Sequence, residues 1–259
     1  MNLWFYIKSR LKYIFTARHR KGFGVHSPFV FHLLNFVIFE KYPFYAYESI
    51  ERIRKKMLQN KAVVLLTDYG IGNKQKNCVA DIAKCSLETA KFGQLLFRLV
   101  NRFNPNNILE LGTSLGISTM YLAMPSSKAH VVTIEGSKSL CDIAKQNFKQ
   151  QGITNVTVVN DNIDNSIDTI LLEMPTLDFV YFDANHTKEA TLRYFDKCLQ
   201  KTNKKTIFVF DDIHYSQEME SAWNDIKTNR KVHLSIDLYH FGLAFFNDDL
   251  PKQDYVVAF

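Results

Sequence analysis

Asn107-Ile108-Leu109-Glu110-Leu111-Gly112-Thr113-Ser114-Leu115-Gly116 is the stretch that decides the fold. An apolar run carries an acid, one glycine follows two residues after that acid, and a second glycine stands four residues further on. Ile117-Ser118-Thr119-Met120-Tyr121-Leu122-Ala123 then has the composition of a helix. The pattern is that of a buried strand handing over to a helix through a tight turn. Glycine tolerates φ > 0 at such a turn and has no Cβ to keep a ligand from the backbone. The next apolar run, Val131-Val132-Thr133-Ile134, closes in Glu135, 19 residues after Gly116. In nucleotide-binding α/β folds an acid at that place accepts hydrogen bonds from ribose hydroxyls.

Working outward, three more runs end the same way. Val156-Thr157-Val158-Val159 ends in Asn160-Asp161-Asn162, Leu177-Asp178-Phe179-Val180-Tyr181-Phe182 in Asp183, and Thr206-Ile207-Phe208-Val209-Phe210 in Asp211-Asp212. Helix-length segments separate them. Short buried strands alternating with helices predict a parallel sheet, and ligands of such sheets sit beyond the carboxyl ends of the strands, where these acids fall.

The ordered set resembles the class I S-adenosylmethionine-dependent methyltransferases over roughly residues 90–259, and within them the O-methyltransferase branch (catechol- and caffeoyl-CoA-like enzymes and those acting on natural-product sugars). The resemblance implies an α/β, Rossmann-like, seven-stranded methyltransferase sheet with helices on both faces, preceded by an N-terminal helical extension. It also implies S-adenosylmethionine as cofactor. Glu110, Gly112, Thr113, Ser114 and Gly116 correspond to the turn that meets the methionine end, and Ser118 to a serine near the cofactor carboxylate. Glu135 and Gly136 fall at the ribose acid, Asp161 and Asn162 at the adenine contact, and Asp183 beside the reacting methyl.

Methyl transfer to a hydroxyl needs a positioned nucleophile and a proton acceptor. The candidates follow the fourth and fifth strands: Asp183-Ala184-Asn185-His186 and Asp211-Asp212-Ile213-His214. Asp183, His186 and His214 are the expected catalytic residues. His186 stands where catechol-type enzymes place a lysine, and an imidazole is a usable base near neutrality. In metal-dependent relatives, acids at these places hold a divalent cation. Asp183, Asp211 and Asp212 are therefore the expected Mg²⁺ ligands, with the metal requirement left open. The sequence departs from that pattern in having Asp-Asp for Asp-Asn and Asn-His for an aromatic and lysine. No Asn/Asp-Pro-Pro-Tyr follows the fourth strand, against the familiar amino-methylating DNA enzymes. No cysteine sits at either strand end, against a cytosine-C5 thiolate mechanism.

A second stretch, Val63-Val64-Leu65-Leu66-Thr67-Asp68-Tyr69-Gly70-Ile71-Gly72, also reads strand, acid, Gly-x-Gly. No second strand ending in an acid follows at the required distance, so it is expected to be a hairpin with its turn at residues 68–73. The core then opens with a helix at residues 90–103, closed by Asn104-Pro105. Ser216 is expected to cap a helix through Lys227. Residues 232–238 and 242–246 read as an antiparallel pair, and residues 255–259 as an addition at the edge.

The net charge of +6 is uneven. Residues 1–60 hold 11 Lys/Arg against 3 Asp/Glu, and 14 of the 35 aromatic residues. This divides the chain into a basic, aromatic helical extension (1–60), a connecting segment (61–89) and a nearly neutral catalytic domain (90–259). Residues 2–17 are expected to form a helix that docks on the domain, lies at a membrane surface or contacts nucleic acid. Ser27 and Pro28 mark the start of a second helix, to about Phe39, and Pro43 that of a third, to about Gln59. His26, in the loop between, is a candidate substrate contact. The four cysteines form no CxxC pair, no apolar run spans a membrane, and Lys8, Arg10 and Lys12 interrupt any signal-peptide core. The expected location is the cytoplasm, with peripheral contact at the inner membrane face through residues 1–20. The leading expectation is methyl transfer to a hydroxyl of a small or lipid-linked acceptor. The alternatives are an RNA or protein methyltransferase guided by the basic extension, and a non-catalytic binding module on the same fold.

Overall fold

Local stop and start residues set the element boundaries in the computed structural model, which describes residues 3–19, 22–67 and 74–259. Helix α1 spans Leu3–Thr16. Ser27 caps α2 (Pro28–Leu33) by accepting the Val30 N–H, and Pro28, which has no N–H to satisfy, takes the first turn. α2 runs on as a π-helical turn, Leu34–Ile38. Helix α3 is Tyr45–Gln59, beginning just after Pro43. Strands β1 (Val63–Thr67) and β2 (Lys74–Cys78) pair antiparallel, with Val63 opposite Cys78. This is the expected hairpin; its turn, with the second Gly-x-Gly, lies outside the described residues. Helices α4 (Val79–Ser86) and α5 (Ala90–Phe103) follow, and Asn104 ends α5 in the left-handed region at φ +47°.

The chain divides into two compact units, residues 42–174 and residues 1–41 with 175–259. The expected boundaries near 60 and 89 follow composition and charge; compactness groups residues 1–41 with the C-terminal segment. In the 42–174 unit, β3 (Asn107–Leu111), β4 (His130–Ile134) and β5 (Val156–Val159) pair in parallel in that order. Helices α6 (Ile117–Ala123), α7 (Lys138–Gln150) and α8 (Ile163–Glu173) alternate with them. β3 and β4 are buried along nearly their whole length, as continuous apolar runs require.

In the other unit the elements are β6 (Phe179–Phe182), α9 (Lys188–Leu199), β7 (Ile207–Phe210), α10 (Gln217–Thr228), β8 (Leu234–Asp237), β9 (Gly242–Phe245) and β10 (Gln253–Val256). Their order is β6-β7-β9-β8-β10. β6 and β7 are parallel, β9 is antiparallel to both neighbours, and β10 lies parallel to β8. Outside the hairpin there are thus eight strands among the described residues, against the seven expected. The addition is β10, which starts two residues before the expected edge segment. Phe182 and Phe210 stack with centroids 4.4 Å apart, and Trp223 of α10 is fully buried.

Candidate active site

The 42–174 unit carries the glycine turn. Gly112 lies at φ +101° and Ser114 at +47°, and the Gly112 N–H donates to the Ile134 carbonyl (3.1 Å), tying the turn to β4. Gly116, at φ +81°, is the residue before α6. A Cβ there would come within 2.7 Å of the Phe148 ring and 3.0 Å of Ala144. What occupies the space on the Cβ side of this glycine is therefore α7, so the absence of a side chain at Gly116 permits close helix packing.

Glu110 is fully buried. Parallel register sets it opposite Thr133, whose hydroxyl donates to Oε2 (2.7 Å); Thr119 Oγ1 donates to the same oxygen, and Ser118 also hydrogen-bonds the carboxyl. The other oxygen, Oε1, is buried with no hydrogen-bond partner. Burial pushes the carboxyl up to about 7, against the pull of the hydroxyls. Thr113 shares a hydrogen bond with Thr133 (2.5 Å). Glu135 accepts the Ser114 N–H on one oxygen (2.9 Å) and the Ser137 N–H on the other (2.8 Å). Burial raises its pKa, and the backbone N–H groups of Ser137, Ser114 and Thr113 oppose the rise.

Glu110, Gly112, Thr113, Ser114, Ser118 and Glu135 thus form one hydrogen-bonded assembly built on β3 and β4. Asp161 accepts the Asn162 N–H (2.7 Å), and Asn162 caps α8 by accepting the Asp164 N–H (2.9 Å). Asn160, which the sequence did not single out, donates to the carbonyls of Glu135 (2.9 Å) and Gly136 (3.0 Å) and so links the β4 and β5 ends.

In the other unit, acids and histidines meet in pairs at the strand ends. After β6, His186 Nε2 lies 3.7 Å from Asp183 Oδ1, and Asn185, at φ +48°, donates to the Tyr194 hydroxyl (2.8 Å). Burial holds the His186 imidazole below its usual pKa, with Asp212 opposing. After β7, Asp211 is buried and its Oδ1 accepts the Asp212 N–H (2.8 Å). Asp212, at φ +51°, faces His240 Nδ1 at 3.7 Å. His214 Nε2 is 2.8 Å from Asp237 Oδ2, and its ring stacks on Tyr239 at 5.2 Å and 19°. His214 Nδ1 is buried without a hydrogen-bond partner.

No group of three or more His, Cys, Asp or Glu side chains among the described residues is disposed to hold a metal ion. Asp183, Asp211 and Asp212, expected as a Mg²⁺ set, do not form one. Asp211 spends an oxygen on a turn N–H, as an acid capping a tight turn does, and Asp212 is drawn to His240. His26 is exposed in the loop before α2. Asp237 and Tyr239 were not legible as site residues, although Asp237 closes an apolar strand as the other acids do.

A family model described as a methyltransferase domain matches residues 109–213. The chain is 26% identical over 131 residues to a catechol O-methyltransferase of Mycobacterium tuberculosis, covering 48% of this chain and 56% of that protein. It is 24% identical over 149 residues to a protein named as a probable ribosomal RNA small subunit methyltransferase A of Methanosphaera stadtmanae, covering 58% and 50%. The chain spans about half the length of these curated relatives. The solved O-methyltransferase of Bacillus cereus in complex with S-adenosylhomocysteine superposes with a TM-score of 0.57 at 21% identity, covering 78% of this chain and 90% of that one. That likeness extends the methyltransferase fold well beyond the matched segment.

Proposed function

We propose that this chain, whose fold is that of the class I methyltransferases of the O-methyltransferase-like branch, binds S-adenosylmethionine and methylates a hydroxyl of a small or lipid-linked acceptor. The observation that carries the reading is the β3–β4 assembly. It combines a left-handed Gly112, a Glu110 oxygen buried without a partner, and a Glu135 carboxyl held by the backbone N–H groups of Ser114, Ser137 and Thr113. A carboxylate offers about four lone-pair sites, so Glu135 can still accept a ribose hydroxyl. These residues fit the cofactor: Glu135 would hold the ribose, and Gly112, Thr113 and Ser114 the methionine end.

The cofactor supplies a methyl group already activated on a sulfonium centre, which leaves the protein to orient the acceptor and remove its proton. His186 is suited to that second task. Burial lowers its pKa and so favours the neutral imidazole, while the Asp212 charge favours the imidazolium once formed, with Asp183 Oδ1 3.7 Å away. His214 is assigned as a second proton-accepting or acceptor-orienting imidazole. With Nε2–H donated to Asp237, its Nδ1 is left as an acceptor; this tautomer is assigned from the hydrogen bond.

The test is calorimetric titration with S-adenosylhomocysteine in Mg²⁺ and again in EDTA, followed by methyl-transfer assays on hydroxylated acceptors. Micromolar binding under both conditions, weakened about tenfold in Glu135→Ala, is expected. No binding under either would favour the non-catalytic module. A second reading, methylation of RNA, rests on the basic character of residues 1–60 and on the ribosomal RNA relative. It expects RNA binding that falls steeply with salt and vanishes without residues 1–60.

A further inference from the structure

We infer that the outer face of α1 is a docking surface for an anionic lipid bilayer, on which this chain lies peripherally. The inference deepens the membrane contact expected for residues 1–20 and stands independently of the methyl-transfer reading.

α1 is held to its own unit by one side only. Ser9 and Tyr13 are buried, the Tyr13 hydroxyl donates to the Val257 carbonyl (2.5 Å), and the Tyr13 and Tyr6 rings meet Tyr239 at 5.0 and 6.3 Å. Lys12 pairs with Glu220 of α10 at 2.7 Å. This docking fixes which face looks outward. Trp4, Ile7, Leu11, Ile14 and Phe15 recur at helical spacing, occupy an arc of about 100°, and are all exposed, Trp4 at 74% and Phe15 at 80%. A soluble surface seldom exposes so continuous an apolar stripe, because its hydration is unfavourable.

Charge identifies the occupant. The first acidic residue of the chain is Glu40, while residues 1–39 carry six Lys/Arg. Exposed Lys8, and beyond it Lys12, border one side of the stripe, and Arg10 borders the other, with its guanidinium over Tyr239 at 4.6 Å. An apolar stripe with an aromatic residue at each end, edged by cations, matches the interfacial level of a bilayer with anionic headgroups. On the Lys8–Lys12 side a cleft of about 510 Å³ lies between α1 and α10, where Lys8 is joined by Lys12, paired with Glu220, and by Gln217, Ser221 and Asn224. Exposed Phe23 and Phe31 lie in the same acid-free segment. No helix of the described residues is long and apolar enough to cross a membrane, so the contact is one of lying on the surface.

Tryptophan gives the readout. The chain has two, and Trp223 is fully buried, so Trp4 reports the surface. The full chain is titrated with vesicles of phosphatidylcholine alone and with phosphatidylglycerol added, following Trp emission and vesicle flotation. A blue shift and co-flotation with the anionic vesicles are expected, with much weaker binding to phosphatidylcholine alone or at about 0.5 M salt. Phe15→Ser and Leu11→Ser, at exposed positions, should keep the thermal melt and weaken binding more than tenfold. Lys8→Gln should weaken it about fivefold. Absence of flotation would overturn the inference. So would a dimer in sedimentation velocity that Phe15→Ser dissolves without any vesicle binding, or salt-sensitive RNA binding in its place.

Discussion

The two sets of strand ends solve the same problem in different ways. On β3 and β4, carboxylates are held by backbone N–H groups and hydroxyls: Glu135 by Ser114 and Ser137, Glu110 by Thr119 and Thr133. After β6, β7 and β8, carboxylates also face imidazoles, Asp183 with His186, Asp212 with His240 and Asp237 with His214, while Asp211 and Asp237 each accept a turn N–H as well. Backbone donors are fixed by the fold and survive most side-chain changes. Imidazole partners are individual side chains, each replaceable by a single substitution. The first arrangement suits a ligand that is always the same; the second suits proton transfer with an acceptor particular to this protein.

The sharpest test of that contrast is His186→Ala. If this imidazole takes the acceptor's proton, turnover falls by about 10²–10⁴ while affinity for S-adenosylhomocysteine is unchanged. The wild-type rate should also fall on acidification along a limb below pH 6.5, because burial has lowered the His186 pKa. An equal loss of cofactor affinity would merge the two regions into one and break the comparison.

Glu110→Gln probes the other side through stability. A carboxyl raised to about 7 from 4.5 favours the folded state while protonated, and that contribution is lost as pH rises toward 7. The variant should match wild type below pH 4.5 and gain about 3 kcal/mol over it above pH 7, read from denaturant melts at several pH values. A pH-independent difference would mean that Glu110 is not buried as a carboxylate.

Gly116→Ala should cost about 2 kcal/mol, from the left-handed φ and the contact with Phe148. Pairing it with Phe148→Leu should recover part of that loss. Full additivity of the two changes would argue against the packing role. The smallest effect is expected at Glu135→Ala: roughly tenfold weaker binding of S-adenosylhomocysteine by calorimetry, with kcat little changed at saturating cofactor. A large fall in kcat with unchanged affinity would move Glu135 to the proton-transfer side of the comparison.

Much of the fold was legible because its signals are local. Ser27-Pro28, Asn104 and Ser216 start or stop helices through their own caps and turns, and apolar runs of strand length between helix-length segments have few other readings. β10 was harder to place, since Gln253-Asp254-Tyr255-Val256 is polar and half exposed, and its pairing with β8 is a long-range choice. The Mg²⁺ set is a related case. Three aspartates at strand ends look like ligands, but whether their oxygens converge depends on turn dihedrals, here the positive φ of Asp212, which the residue type only permits.

Sequence alone determined the elements, the glycine turn, the acids that close the strands and the acid-free basic start of the chain. Each rests on backbone chemistry or composition that acts within a few residues. Only the tertiary structure decided which carboxylate met a backbone N–H and which an imidazole, that Gly116 faces Phe148, and that α1 buries Ser9 and Tyr13 while showing Trp4 and Phe15 to solvent. Those outcomes depend on strand register and on the packing of residues far apart in the chain, where burial and partner geometry are set by neighbours that no local pattern names.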